Sequence, residues 1–351
     1  MSGLTSLSAG NPSPAEPVWV GLPGPELDGP SAALLEAHQP GGLVLFGRNC
    51  VEPVQLSELV RSIRAILPRA ILAIDAEGGR VDRLRNVVAP APAASRLATQ
   101  LPSASIAAGR AVGRALRLFD LDVDFAPVVD LDRGFQGNAL DDRCFGNRPE
   151  EVVARARAFL AGLHMTGIGG CLKHYPGLGG AGEDTHHEGS IVRLTREQLE
   201  DDLAPFDALG VYAGAVMISH AAYPAYDAKE LPATLSPCIH RLLRRRLGGN
   251  VLAICDDLEM KALAPWGDLP ERTAAAFLAG CDVLPVCRDL EALPAIAERL
   301  ADPALESRQQ QAHSRIERYR NRLAALRSPT DSGTPWAERL AEVRTALAAL
   351  A

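Results

Sequence analysis

Short, almost uninterrupted apolar runs recur along the chain, separated by longer stretches in which apolar positions return every three or four residues. The short runs cover residues 18–22, 42–46, 70–75, 123–130, 170–174, 215–220, 251–256 and 283–287. Runs that are apolar on both faces predict strands of a parallel sheet covered on each side. The stretches 53–67, 103–118, 150–165, 196–209, 237–247 and 271–279 have the helical period and predict the covering helices. Eight such strands alternating with helices predict an α/β fold: a single (β/α)8 TIM-like barrel over residues 18–303. An open doubly wound sheet is the alternative, but no G-x-G-x-x-G follows the first strand.

Outside the barrel, residues 1–17 are rich in Ser, Pro and Gly and predict a loose tail. Residues 304–351 predict helices packed on the barrel, broken by a Ser/Pro/Gly segment at 328–335. The charges between Arg308 and Arg327 fall at mixed spacing and read as a solvated face.

Composition narrows the classes of function. The 351 residues are 47% hydrophobic and 23% charged, enough apolar material for a core without staples. The formal net charge of −7 has both signs interspersed, so no partner nucleic acid or membrane is expected. Seven cysteines without a C-x-x-C spacing predict neither a disulfide framework nor a zinc knuckle. No signal-peptide pattern opens the chain and no apolar run reaches the roughly 20 residues of a membrane span, so a cytoplasmic protein is expected. No long exposed apolar stripe remains, which predicts a monomer.

Five strands finish in a polar or ionisable residue: Asp75, Asp130, His174, His220 and Asp256. In a barrel the strand C-termini share one face, where groups from different strands converge. One such Asp reads as a helix cap; five on successive strands predict a site. Asp75 leads into Glu77-Gly78-Gly79-Arg80, a sharp turn. Lys173 and His174 precede a glycine-rich loop that ends in Asp184-Thr185-His186. Residues two apart in an extended segment point the same way, so Asp184 can orient the His186 ring for proton transfer. Alternation places Asp256 and Asp257 on opposite faces, one toward the barrel mouth and the other toward backbone.

In this order, IDAEGGRVDRL, DFAPVVDLD, DDRCFG, KHYPG, DTH, VMISH and CDDLEMKA resemble the motifs of the bacterial β-N-acetylglucosaminidases of glycoside hydrolase family 3, the single-domain type. The resemblance runs from residue 41 to residue 287. It implies a retaining hydrolase that removes terminal non-reducing β-linked N-acetylhexosamine through a covalent glycosyl-enzyme. Asp256 is the implied nucleophile, and Asp184 with His186 the implied acid/base pair. Asp75, Arg143, Lys173 and His174 are implied to hold the terminal sugar, with Met217 and His220 lining the same pocket. No metal or cofactor is implied. The implied substrate is a GlcNAc-containing muropeptide or oligosaccharide, in peptidoglycan recycling. A histidine in place of the second carboxylate also suggests phosphorolysis beside hydrolysis.

The chain departs from the family pattern at Leu178, where a second His is usual, at Gly180, where an Asp is frequent, and at Cys255, where Ser is usual; His187 adds an imidazole after the pair. Two rival readings stand beside the main one. A sugar-binding barrel without catalysis would use the same pocket. A metal-dependent barrel hydrolase would need His174, His186, His187, His220 and Asp256 to converge.

Overall fold

The computed structural model describes residues 13–135, 139–182, 189–327 and 333–350. Its strands are β1 (Val18–Val20), β2 (Gly42–Leu45), β3 (Ile71–Ile74), β4 (Ala76–Gly78), β5 (Val81–Asp82), β6 (Val123–Asp124), β7 (Gly169–Gly170), β8 (Leu172–Tyr175), β9 (Ala215–Ile218), β10 (Leu252–Cys255) and β11 (Leu284–Val286). All except the β4–β5 hairpin pair in parallel, in the orders β11-β1-β2-β3-β6-β7 and β10-β9-β8. Two seams join these sheets. At one, the Cys171 N–H reaches the carbonyls of Asp124 and Ala126, and Val128 bridges Lys173. At the other, Ile254 bridges Val283 and the Cys255 N–H donates to the Val283 carbonyl. The ring therefore closes as a (β/α)8 barrel, with β7 and β8 one strand interrupted at Cys171.

The eight apolar runs all contribute to this ring. Two are more broken than their composition suggests. Residues 123–130 pair regularly only at Val123–Asp124, with an isolated bridge from Val128 to Lys173, and the run at 170–174 starts one residue earlier and splits.

The covering helices are α1 (Gly29–His38), α2 (Pro53–Ile66), α3 (Ala94–Ala98), α4 (Pro102–Leu118), α5 (Pro149–His164), α6 (Arg196–Ala213), α7 (Pro237–Leu247), α8 (Leu269–Ala279) and α9 (Leu293–Leu300). Local signals set their ends. The Thr195 hydroxyl accepts the Gln198 N–H while the Gln198 side chain accepts the Thr195 N–H, and α6 stops at Gly214 with φ 84°. Helices α4 and α5 approach closely because a Cβ at Gly109 would lie 2.1 Å from the Phe159 carbonyl oxygen. Inside the ring Trp19 and Phe125 stack with centroids 6.2 Å apart.

Two further helices, α10 (Glu306–Leu326) and α11 (Trp336–Ala348), follow the barrel. Ala312, Ile316, Tyr319 and Leu323 of α10 are buried against the N-terminal ends of the strands, where the Tyr319 hydroxyl donates to the Gly170 carbonyl at 3.3 Å. The charges of α10 correct the expectation of a solvated face. Arg308 and Arg315 pair with buried Asp282, Arg320 with Glu16, and Arg327, just past the helix, with Asp122. A helix mostly polar in sequence is thus fixed by guanidinium groups reaching inward, a use that spacing alone does not show.

Residues 1–12 lie outside the described residues. Residues 13–17 depart from the expected loose tail: Ala15 is fully buried, and Glu16 meets His313 at 2.6 Å and Arg320 at 2.7 Å. No helix among the described residues is long and apolar enough to cross a membrane.

Candidate active site

At the C-terminal ends of the strands a cavity of about 690 Å³ opens. Asp75, Arg143, Lys173, His174, Met217 and Asp256 all line it. The strand ends therefore bring together residues separated by up to 181 positions, from Asp75 after β3 to Asp256 after β10.

One wall is a network of charges. Lys173, only 2% exposed, donates to Asp75 Oδ1 at 2.7 Å and lies 2.5 Å from Glu77 Oε1. Arg143 grips the Glu77 carboxylate with both arms of its fork, Nε to Oε2 and Nη2 to Oε1, each at 2.8 Å. Burial alone would push the Glu77 carboxyl up, but Arg143 and Lys173 outweigh it and bring it down to about 2. Burial likewise opposes the charge on Lys173, and Asp75 and Glu77 hold it above the ordinary lysine range.

In the sequence Glu77 reads only as part of a turn. The missed signal is structural: β4 and β5 form a two-stranded hairpin directly after β3, and it aims Glu77 inward. Gly78 sits in this hairpin with φ 92°, where a Cβ would lie 2.1 Å from the Pro92 carbonyl oxygen. Below, the Asp124 carboxyl accepts the Ala76 N–H at 3.0 Å, and full burial pushes its pKa well above the ordinary value. Arg83 was also not singled out, yet it lines the cavity 4.0 Å from Asp75 Oδ2.

His174 is oriented from behind. Its Nδ1 donates to Asp130 Oδ2 at 2.7 Å, which fixes the tautomer and leaves Nε2 3.5 Å from Arg143 Nη2. Asp130 is fully buried and also accepts the backbone N–H groups of His174 and Leu178. It is thus a support for His174 rather than a cavity-lining group. The Leu178 and Gly180 departures lie beside it: Leu178 is buried, and a Cβ at Gly180 would meet Leu194 Cδ1 at 2.6 Å.

Across the cavity, Asp256 accepts the Asp257 N–H at 2.8 Å. The Asp257 carboxylate accepts the Glu259 N–H at 3.0 Å, the backbone-holding role that alternation assigned to one of the two. Burial pushes Asp257 up to about 6. Cys255, the residue before them, is completely buried.

His220 corrects its assignment to the pocket lining. It is 1% exposed and absent from the cavity wall, with Nδ1 2.7 Å from Thr234 Oγ1 and Nε2 donating to the Asp257 carbonyl at 2.9 Å. Strand-end position placed it correctly at the site's end of the barrel, but its ring turns behind the segment that carries Asp256. His174 and His220 each have both ring nitrogens directed at protein groups, so they do not converge on a common point as a metal pair would. Among the described residues, the group with metal-ligand spacing is Glu16, His313 and Glu317, and Arg320 already occupies it with ion pairs to both carboxylates. Asp184, His186 and His187 lie outside the described residues.

Comparison with known proteins shows the family and the fold. The family described as "Glycosyl hydrolase family 3 N terminal domain" matches residues 20–319. The beta-hexosaminidase of Methylococcus capsulatus is 37% identical over 289 residues, covering 80% of this chain and 85% of that protein. The beta-hexosaminidase of Alkalilimnicola ehrlichii is 39% identical over 298 residues, covering 82% and 85%. NagZ from Neisseria gonorrhoeae, solved in complex with N-trifluoroacetyl-D-glucosamine, superposes with a TM-score of 0.81 at 29% identity, covering 95% of this chain and 99% of that one. By sequence motifs, fold and family match together, the chain belongs to glycosyl hydrolase family 3.

Proposed function

We propose that this protein is a retaining β-N-acetylhexosaminidase that releases terminal non-reducing GlcNAc, with Asp256 as nucleophile. The observation that carries the reading is the cavity wall: Asp256 stands at the end of β10 across from a preorganised set of hydroxyl-binding groups, Asp75, Lys173, Arg143 and His174. Charged groups already paired and buried need no reorganisation when a sugar arrives, which favours binding energy spent on orientation.

In the proposed sequence a terminal sugar seats with its hydroxyls on that wall. The Asp256 carboxylate, steadied by the Asp257 N–H, attacks the anomeric carbon and forms a glycosyl ester as the aglycone oxygen leaves. The resemblance assigns protonation of that oxygen, and later activation of water, to His186 oriented by Asp184. Water then cleaves the ester and returns Asp256 as a carboxylate, with net retention. The names of the curated relatives support a hexosaminidase. The resemblance supports a cytoplasmic role on muropeptides during peptidoglycan recycling.

The test is release of 4-nitrophenol from 4-nitrophenyl β-N-acetylglucosaminide by wild type and Asp256→Ala. The reading expects turnover by the former and loss of at least about a thousandfold in the latter. Sugar binding without turnover in the wild type would instead support a non-catalytic barrel.

A further inference from the structure

A second depression, of about 510 Å³, lies at the opposite end of the barrel between α7, the end of α8 and α10. Its location follows from its contacts. Arg244 and Arg308 reach the Val251 and Cys281 carbonyls and Asp282, all at the N-terminal ends of β10 and β11. Five arginines line it, Arg241, Arg244 and Arg245 from α7 and Arg308 and Arg315 from α10, and no Asp or Glu is among the described lining residues.

Asp282 is the carboxylate that meets them, and it is fully buried behind the wall. It takes Arg244 Nη2 at 2.6 Å, Arg308 Nη2 at 2.8 Å and Arg315 Nη1 at 2.8 Å. Neither Arg241 nor Arg245 has an ion pair among the described residues, although Arg241 Nη2 donates to Cys238 Sγ at 3.1 Å. Five guanidinium groups against one carboxylate leave about four uncompensated positive charges in one groove. The excess stands in a chain whose formal net charge is −7.

Clamping α10 to the barrel explains Arg244, Arg308 and Arg315. It does not explain why two more arginines face the same groove. We propose that this groove binds a small organic diphosphate. Planar guanidinium forks match phosphate oxygens two at a time, and two linked phosphates suit the charge excess better than one carboxylate does. The volume far exceeds a lone phosphate, and Pro237, Ala279 and the exposed Leu278 offer apolar contact for the organic part.

The test is isothermal titration calorimetry at low ionic strength with inorganic pyrophosphate and with ADP, using citrate as the carboxylate comparator. Wild type should bind pyrophosphate and ADP saturably at one site and citrate at least tenfold more weakly. Arg241→Gln/Arg245→Gln changes two exposed side chains, so the fold should persist, with an unchanged melting temperature. Each lost charge-assisted contact is expected to weaken binding roughly tenfold, and the pair about a hundredfold. Turnover of the aryl glycoside should be unchanged, which separates this proposal from the proposed hydrolysis. Absence of saturable binding by either diphosphate, equal affinity in the double variant, citrate binding as tight as pyrophosphate, or displacement of the diphosphate by N-acetylglucosamine would each overturn it.

Discussion

Replacing Glu77 by Gln keeps the shape of the cavity wall and removes the charge that holds it together. Glu77 is 7% exposed and takes Arg143 through two bonds of 2.8 Å and Lys173 at 2.5 Å. Without it Lys173 keeps Asp75 but Arg143 loses its ion pair, and removing one partner of a buried ion pair costs about 3–5 kcal/mol. The acid titration leads to a similar figure. A fall from 4.5 to about 2 corresponds to roughly 3 kcal/mol in favour of the ionised folded state. Because the folded pKa lies below the unfolded one, this stability is fully present above about pH 4.5 and is lost as pH falls through about 2. Urea unfolding followed by tryptophan fluorescence, run on wild type and Glu77→Gln, reads the difference directly. The gap should be about 3 kcal/mol at pH 7, shrink to about half near pH 3 and close near pH 2. A gap below about 1 kcal/mol at pH 7, or one that does not change between pH 7 and pH 3, would refute the view of Glu77 as the anionic hub of the site.

Asp257 should behave with the opposite sign. Its carboxyl is pushed up to about 6 by burial, so wild type loses stability as pH rises from about 4 to 6, and Asp257→Asn should gain relative to wild type over that window in the same unfolding assay. Asp130→Asn should loosen the His174 ring and raise KM for the aryl glycoside by about tenfold, with a smaller change in kcat; an unchanged KM would remove His174 from sugar binding. Gly179→Ala should lower the melting temperature clearly, because its Cβ would lie 2.1 Å from the Leu131 carbonyl oxygen, whereas Gly182→Ala, with nothing among the described residues within 4 Å, should leave it nearly unchanged.

The ring of strands was readable because parallel barrel strands are buried on both faces and leave an unbroken apolar signature, as at Leu252–Cys255 and Ala215–Ile218. The cavity-lining set was readable because strand ends converge in a barrel, which is why Asp75, Lys173, His174 and Asp256 meet. Strand-end position does not give side-chain direction. It therefore did not separate Asp130 and His220, which turn behind the wall, from the residues that face the cavity. Glu77 and Arg83 escaped because a two- or three-residue hairpin leaves no periodicity to detect. The inward guanidinium groups of α10 escaped because their partners, Asp282 and Glu16, are distant in sequence, and a long side chain reaches them from a position that reads as surface.

The central claim is that Asp256 forms the covalent bond to the sugar. The direct measurement is mass spectrometry of proteolytic peptides after incubation with a fluorinated glycosyl donor whose second step is slow. The account predicts one added glycosyl mass, on the peptide carrying Asp256, formed as activity is lost. An adduct on another residue, or continued turnover of natural-type substrate with inversion at the anomeric centre, would contradict it.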